Sequence, residues 1–174
     1  HLDLITALYH SNSGGQTENP ENVWFSEVPY LRSVVDTFSI GTTSYRWKKT
    51  IPYNEWIAFL KEYGYPVHDV HALKQALNFR QMFREGFFVD KRYGIPLRDI
   101  RRKFHLNSTL FSVHGKVGDP VVLKGRGFGH GVGMSQEGAM RMAEAGYSYR
   151  EIIHFYFFGV YVMDYSVHLF YSER

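Results

Sequence analysis

Two short segments contain the residues whose types and spacing best suit chemistry. The first segment, His10–Asn19, reads His-Ser-Asn-Ser-Gly-Gly-Gln-Thr-Glu-Asn. The glycine segment, Gly125–Gln136, reads Gly-Arg-Gly-Phe-Gly-His-Gly-Val-Gly-Met-Ser-Gln, with His130 between its regularly spaced glycines. Glycine permits positive φ and lets the backbone approach another group closely. The glycine segment therefore predicts either a backbone wrapped against a bound ligand that His130 faces, or a tight crossing within the chain in which His130 is packed.

Two common nucleotide-binding loops do not fit the glycine segment. A phosphate loop ends in Lys-Ser or Lys-Thr after its glycines, and no such pair closes this segment. The Rossmann fingerprint needs a third glycine where Val132 stands, and no strand-helix-strand unit follows. We therefore do not expect nucleotide binding.

Nucleophilic and metal chemistry have weaker support. Ser11 or Ser13 could be a nucleophile with His10 or His130 as its base, but neither serine lies in a Gly-x-Ser-x-Gly sequence. The alternative is a turn whose side chains satisfy its own backbone. The nine histidines include no His-Glu-x-x-His, and the chain has no cysteine. A zinc site formed by distant histidines stays open, but we predict neither metal nor cofactor.

Length, composition and charge describe one globular unit. The chain has 174 residues, 44% of them hydrophobic and 17% aromatic, and we predict a single compact domain over residues 1–174. Residues 84–103 contain seven basic and three acidic residues. This stretch indicates a solvated face or a surface for an anionic polymer. No nucleic-acid motif accompanies the charge, and no apolar run reaches the roughly 20 residues of a membrane helix.

Local patterns predict the secondary structure. Strands are expected at 2–9, 30–35, 45–51 and 165–170, with a strand-like stretch at 87–89 and a hairpin formed by 109–113 and 121–123. Helices are expected at 54–63, 69–82 and 136–145, after Pro96, and after the capping box that begins at Ser148. The elements do not alternate as βαβ units. We predict an α+β fold with a mostly antiparallel β-sheet and several short helices.

Together the two segments resemble the stage II sporulation protein D/LytB domain family. His10–Trp24 followed by Pro29–Val34 is similar to the first half of that domain. Leu106–Phe111, Gly125–Gln136 and the following Gly138-Ala, Met142-Ala and His154-Phe-Tyr are similar to its second half. The resemblance covers nearly the whole chain, and the glycine block ending in Met-Ser-Gln is its most specific part.

The resemblance implies a function in the bacterial cell wall. Sporulation members of the family are lytic transglycosylases that cut peptidoglycan between N-acetylmuramic acid and N-acetylglucosamine, preferring strands without stem peptides. LytB-type members are described as enhancers of an amidase. The implied partners are therefore glycan strands, an amidase or the family's N-terminal segment, in an extracytoplasmic, cell-envelope location. The predicted substrate-binding residues are His10, Ser11, Ser13, Gly14, Gly15, Arg126, His130, Gln136 and Tyr156, and Trp24 and Tyr147 are further candidates for stacking on sugar rings.

Three departures from the family pattern affect the expected chemistry. The family's catalytic glutamate lies in a Glu-Met-Pro segment that would precede His1, and Glu27-Val-Pro29 stands on the wrong side of the first segment to replace it. We therefore assign no catalytic residue and expect residues 1–174 alone not to cleave glycan. Glu137 stands where sporulation members commonly have tryptophan, and we expect it to cap a helix. A chain without cysteine also lacks the Cys-containing zinc site of some members.

Three classes of function remain after the sequence is read. The chain is the larger part of a glycan-cleaving enzyme, a non-catalytic wall-binding module that stimulates an N-acetylmuramoyl-L-alanine amidase, or a structural domain unrelated to the wall. A Glu-Met-Pro segment in the parent sequence would favour the first class over the second. Binding to purified peptidoglycan separates both from the third.

Overall fold

The computed structural model describes residues 3–24 and 26–164, and their elements combine short helices with two small sheets. The helices are α1 (Pro20–Trp24), α2 (Tyr53–Glu62), α3 (Val70–Leu77), α4 (Leu97–Lys103), α5 (Gln136–Glu144) and α6 (Tyr149–Tyr156). The strands are β1 (Tyr9–His10), β2 (Arg46–Ile51), β3 (Phe111–His114), β4 (Val121–Arg126) and β5 (Met134–Ser135). An antiparallel sheet has the order β2-β4-β3, and β1 pairs with β5 in parallel. The predicted α+β class is confirmed.

The larger apolar cluster joins α2, α3 and α4 to one face of the antiparallel sheet. Trp56 of α2 is fully buried at its centre and contacts the rings of Phe88 and Phe104. Val121 and Leu123 of β4 enter the same cluster at alternate positions, as expected for a strand with one face on a core. These contacts fix β4, whose end begins the glycine segment.

A second apolar cluster holds α5 and α6 against the first third of the chain. Its buried members are Leu31, Val132, Met142, Ile152, Tyr156 and Phe157. Because Val132 belongs to this cluster while β4 belongs to the larger one, the glycine segment connects the two clusters. Its two ends are therefore anchored by packing.

The helices that were predicted from capping residues at their ends are all present, but α3 is shorter than predicted. Ser135 accepts a hydrogen bond from the Gly138 amide at the start of α5, and Ser148 forms the predicted capping box with Glu151. Asp69 caps α3 as expected, but the helix ends at Leu77 instead of 82. The backbone there turns to pair with β3, since the Leu77 carbonyl accepts from Gly115 and the Phe79 carbonyl accepts from Val113.

Three predicted strands are largely wrong, and in the second of them, at 30–35, side chains replace the expected ladder. At 30–35, the Ser33 and Val34 amides donate to the side chains of Asn19 and Thr17, and Val35 alone forms a bridge, with Gln16. At 2–9, the described residues before Tyr9 are irregular. At 87–89 an isolated bridge joins Phe87 to Pro96.

Three predictions remain: the hairpin, the strand at 165–170 and the lack of a membrane helix. The predicted hairpin is confirmed, with Val113 opposite Leu123 in the β3–β4 pair. The strand expected at 165–170 lies outside the described residues. Within 3–24 and 26–164, every helix is too short or too polar to cross a bilayer.

Candidate functional site

The first segment and the glycine segment lie side by side. The Asn12 amide donates to the Phe128 carbonyl (3.0 Å), and the Phe128 amide donates to the Asn12 carbonyl (2.8 Å). The chain then continues in parallel, with His10 opposite Ser135, and the Glu18 amide donates to the Gly131 carbonyl (2.8 Å). Residues more than a hundred positions apart are thus joined through their backbones.

Four glycines make this crossing possible. A Cβ at Gly127 would lie 2.7 Å from the Asn12 carbonyl oxygen, and one at Gly14 would lie 2.7 Å from the Arg126 carbonyl oxygen. A Cβ at Gly133 would lie 2.2 Å from the Leu8 carbonyl oxygen, with φ +76°. At Gly129 the nearest atom would be the His10 Cβ, 2.8 Å away. At these four glycines the backbone therefore approaches the protein's own chain. This agrees with the second of the two predictions for the glycine segment, a tight crossing within the chain.

A buried carboxylate lies beneath the crossing. Asp36 is fully buried and accepts hydrogen bonds from the hydroxyl groups of Ser13 (2.7 Å) and Ser39. The Ser39 hydroxyl also contacts the Ser135 hydroxyl at 2.7 Å, which links Asp36 to the start of α5. Because burying a charge is unfavourable without such partners, these hydroxyl groups hold the segments in register. Ser13 therefore faces the interior.

Glu137 bonds to the first segment and does not cap α5. Its carboxylate accepts from the side chains of Asn12 (2.8 Å) and Thr42 (2.5 Å) and from the Ser44 amide (3.1 Å). Burial by itself raises the pKa of Glu137, but these hydrogen bonds outweigh burial and lower it. Glu137 lies in the first turn of α5, where its charge suits the helix dipole as predicted, but Ser135 is the cap and Glu137 is an ionised link to Asn12 and to residues 42–44.

A buried ion pair supports the other side of the crossing. Arg84 and Glu18 are 3.2 Å apart, with side-chain exposures of 1% and 2%. Arg84 also donates to the carbonyls of Gln16 (2.7 Å) and Ser13 (2.8 Å). A Cβ at Gly131 would lie 2.8 Å from the Arg84 Cζ, so the glycine segment passes directly over the guanidinium. Arg84 thus fixes both segments.

The two histidines of the segments have different surroundings. The buried His10 ring contacts the Val132 carbonyl through Nδ1 (3.1 Å), and its Nε2 has no hydrogen-bond partner among the described residues. Burial, and then the charge of Arg84, lower its pKa to about 3. His130 is half-buried, and its Nδ1 accepts from the Val132 amide (3.1 Å). Burial lowers the pKa of His130, as do the charges of Arg101 and Arg84, so both rings are neutral at pH 7.

Acid should destabilise the chain through His10. The unfolded chain takes up this proton below the ordinary value of 6.5, whereas the folded chain does so near pH 3. Protons therefore favour the unfolded state between these values, and from pH 7 to pH 5 the loss should be about 2 kcal/mol. Urea unfolding at both pH values measures it. His10→Asn, which retains a donor for Val132, should flatten the dependence, and an unchanged pH dependence in that variant would contradict this assignment.

The glycine segment borders a large open cleft, named here the basic cleft. Its volume is about 860 Å³ and its lining consists of Val23, Trp24, Arg98, Asp99, Arg101, Arg102, His105, Leu106, Asn107 and Phe128. The Trp24 ring lies 5.3 Å from the His130 ring, between ring centroids, and about half of Trp24 (46%) and of Phe128 (45%) is exposed. The cleft thus combines exposed aromatic rings with guanidinium groups, and His130 stands at its edge.

The predicted binding residues divide into surface and interior positions. Ser11, Gly15, Arg126 and His130 are half-buried and Gln136 is exposed. Arg126 lines another cavity, of about 590 Å³, on the antiparallel sheet. His10, Ser13, Gly14 and Tyr156 are buried, so in this structure they support the site from within.

Sequence reasoning missed several residues that build or line this region. Asp36, Arg84, Asn107 and Phe128 were not among the predicted site residues, and Trp24 was considered for stacking alone. The run of basic residues at 84–103 was a usable signal, since Arg84 supports the crossing and α4 carries the cleft arginines. Within the described residues, His, Asp and Glu form no group of three that could hold a metal ion.

Comparison with known proteins gives a consistent result. No protein-family model matches the chain. The chain is 34% identical to stage II sporulation protein D of Bacillus subtilis (strain 168), over 92% of this chain and 46% of that protein. The identity with stage II sporulation protein D of Bacillus amyloliquefaciens is also 34%, over 90% of this chain and 44% of the relative. The amidase enhancer of B. subtilis is 28% identical, over 93% of this chain and 30% of its own length.

These similarities extend over almost the whole chain. The chain spans less than half the length of each of these relatives. It belongs to the stage II sporulation protein D/LytB family.

Proposed function

We propose that the basic cleft binds the glycan strands of peptidoglycan. The observation that supports this most directly is the pair of half-exposed rings, Trp24 and Phe128, on a cleft that also presents Asn107 and arginine side chains. A pyranose ring has an apolar C–H face that packs on aromatic rings, and hydroxyl and amide groups that need polar partners. The cleft offers both kinds of surface.

The size of the cleft suits a short segment of a glycan strand. Its volume of about 860 Å³ lies in the range of roughly 300–1,000 Å³ typical of ligand sites. The site is formed by α1, α4 and the glycine segment: α4 packs on the larger apolar cluster through Leu97 and Ile100, and the buried crossing fixes the glycine segment. A strand would therefore meet a preformed surface, and little ordering would oppose binding.

The relatives support a role in the cell wall and a cell-envelope location. Two are named for a stage of sporulation and one is named an amidase enhancer. The specific activity that we propose for the parent protein is cleavage between N-acetylmuramic acid and N-acetylglucosamine, as in a lytic transglycosylase. Such a reaction needs a carboxylic acid that protonates the glycosidic oxygen and then, as its base, accepts the proton of the attacking hydroxyl.

The carboxyl group that lines the cleft is already engaged. Asp99 accepts from the Tyr63 hydroxyl (2.9 Å) and pairs with Arg102 (3.1 Å). We propose that the acid comes from a part of the parent protein outside this sequence. Residues 1–174 should then bind stripped strands without releasing anhydro-sugars, which mass spectrometry detects, and their release by this chain alone would overturn the assignment.

Replacing the exposed tryptophan should weaken strand binding. Trp24→Ala removes a stacking surface, and we expect the affinity for glycan strands without stem peptides to fall about tenfold or more. Isothermal titration calorimetry measures the change. Tyr161→Ala is the matched control, because Tyr161 is an exposed aromatic that does not line this cleft. Equal affinities in both variants would argue against the cleft as the strand site.

A second function is supported by the amidase enhancer among the relatives. In this alternative the chain binds the wall and stimulates an N-acetylmuramoyl-L-alanine amidase without cleaving glycan. The rate at which a purified amidase releases stem peptides from peptidoglycan, with and without this chain, tests it. Acceleration that Trp24→Ala abolishes would favour this function, and an unchanged rate would remove it.

A further inference from the structure

Among the described residues, Arg101 is an arginine of the basic cleft that forms no ion pair. Arg102 pairs with Asp99, and Arg98 donates to the Val23 carbonyl (3.3 Å). Arg101 differs from both, because its Nε is buried and has no hydrogen-bond partner among the described residues. Arg101 as a whole is half-buried and lines the wall of the cleft.

This arrangement is unfavourable unless something else satisfies the group. A buried donor without a partner loses the hydrogen bonds that water would give it, and the loss is larger when the group is charged. The same burial disfavours the charged form of the side chain and therefore lowers the pKa of Arg101. Arg101 and Trp24 both line the basic cleft, so the Arg101 side chain borders the same space as the Trp24 ring, which contacts His130.

We propose that Arg101 binds a carboxylate carried by the wall polymer, which makes the cleft specific for an acidic amino-sugar strand. This inference rests on the proposed function. A guanidinium presents its donors as a planar fork that matches the two oxygens of a carboxylate. Peptidoglycan offers carboxylates from two sources, the lactyl group of N-acetylmuramic acid and the stem peptide. The aromatic rings would contact the sugar while Arg101 binds its acid.

The first test changes the ligand and uses the unaltered chain. Calorimetry compares glycan strands without stem peptides with the same strands after their carboxylates are converted to methylamides. We expect conversion to weaken binding about tenfold or more, because a charge-assisted pair is lost. Free stem peptides form a third arm: if they compete with the strands, the site also accepts the carboxylates of stem peptides, and if they do not, the site is specific for the lactyl group.

The second test changes the protein. Arg101→Gln should bind the acidic and the methylamide strands equally, and Arg101→Lys should retain part of the difference, because it keeps a charge without the fork. Lys124→Gln is the matched control. Lys124 lines the cavity on the antiparallel sheet, and its replacement changes the net charge by the same amount as Arg101→Gln.

The outcomes separate this inference from the proposed function. If the unaltered chain binds both kinds of strand equally well, the role of Arg101 is wrong, while strand binding stands. If it binds neither, the proposed function itself fails. If Lys124→Gln removes the preference as fully as Arg101→Gln, the effect comes from overall charge and the inference is overturned.

Discussion

Replacing Arg84 with methionine should destabilise the chain by about 3–5 kcal/mol, because it leaves the Glu18 carboxylate buried without its partner. The same change removes the donors to the carbonyls of Gln16 and Ser13. It also leaves the glycine segment without the group that it crosses at Gly131. Urea unfolding followed by tryptophan fluorescence measures the free energy of unfolding.

Two further variants identify the cause of this loss. The double variant Glu18→Gln/Arg84→Met should lose less stability than Arg84→Met alone, because no charge remains unpaired. Arg92→Met is the surface control: Arg92 pairs with Asp90 at 2.8 Å, but its side chain is 79% exposed, so its loss of stability should be far smaller than that of Arg84→Met. Equal losses in Arg84→Met and Arg92→Met would show that the buried pair does not support the crossing.

A methyl group at Gly127 should be similarly damaging. Gly127 has φ +86° and its Cβ would lie 2.7 Å from the Asn12 carbonyl oxygen and 2.8 Å from the Gly14 nitrogen. Left-handed backbone costs an L-residue roughly 1–2 kcal/mol, and forced overlap adds about 1–3 kcal/mol. Because these neighbours are backbone atoms, no side-chain rotation relieves the overlap. Gly127→Ala should therefore lose about 2–5 kcal/mol in urea unfolding.

Gly118 offers a matched control for that substitution. Its φ of +85° is nearly the same, but nothing lies within 4 Å of an added Cβ. Gly118→Ala should show the conformational cost alone, about 1–2 kcal/mol. The difference between the two variants isolates the close contact of the two segments. If both variants lose the same stability, the crossing is looser than the structure indicates.

The sequence predicted the elements whose causes are local. The capping box at Ser148, the cap at Asp69 and the turn between β3 and β4 each depend on a few neighbouring residues, and all are confirmed. The end of α3 was missed because it depends on pairing between Leu77 and Gly115. The irregular stretch at 30–35 was read as a strand, because hydrogen bonds to distant side chains leave no periodic pattern.

In the candidate site, too, the features with local causes could be predicted and those that depend on distant contacts could not. The two segments could be identified by their residue types, but the sequence could not show which group each glycine approaches. That depends on contacts across the fold, such as Gly127 with Asn12. The buried partners Asp36 and Arg84 looked like ordinary surface charges, because burial is decided by packing and not by neighbours in sequence. The basic stretch at 84–103 indicated either a solvated face or an anionic polymer, and Arg98, Arg101 and Arg102 of this stretch line the cleft.

Amide NMR spectra recorded while stripped glycan strands are added to this chain test most directly whether the basic cleft is the strand site. The account predicts the largest shift changes at Trp24, Arg101, Asn107 and Phe128, with little change at Lys48 and Lys124 on the sheet cavity. Changes centred on the sheet cavity, or an unaltered spectrum at saturating strand concentration, would contradict it.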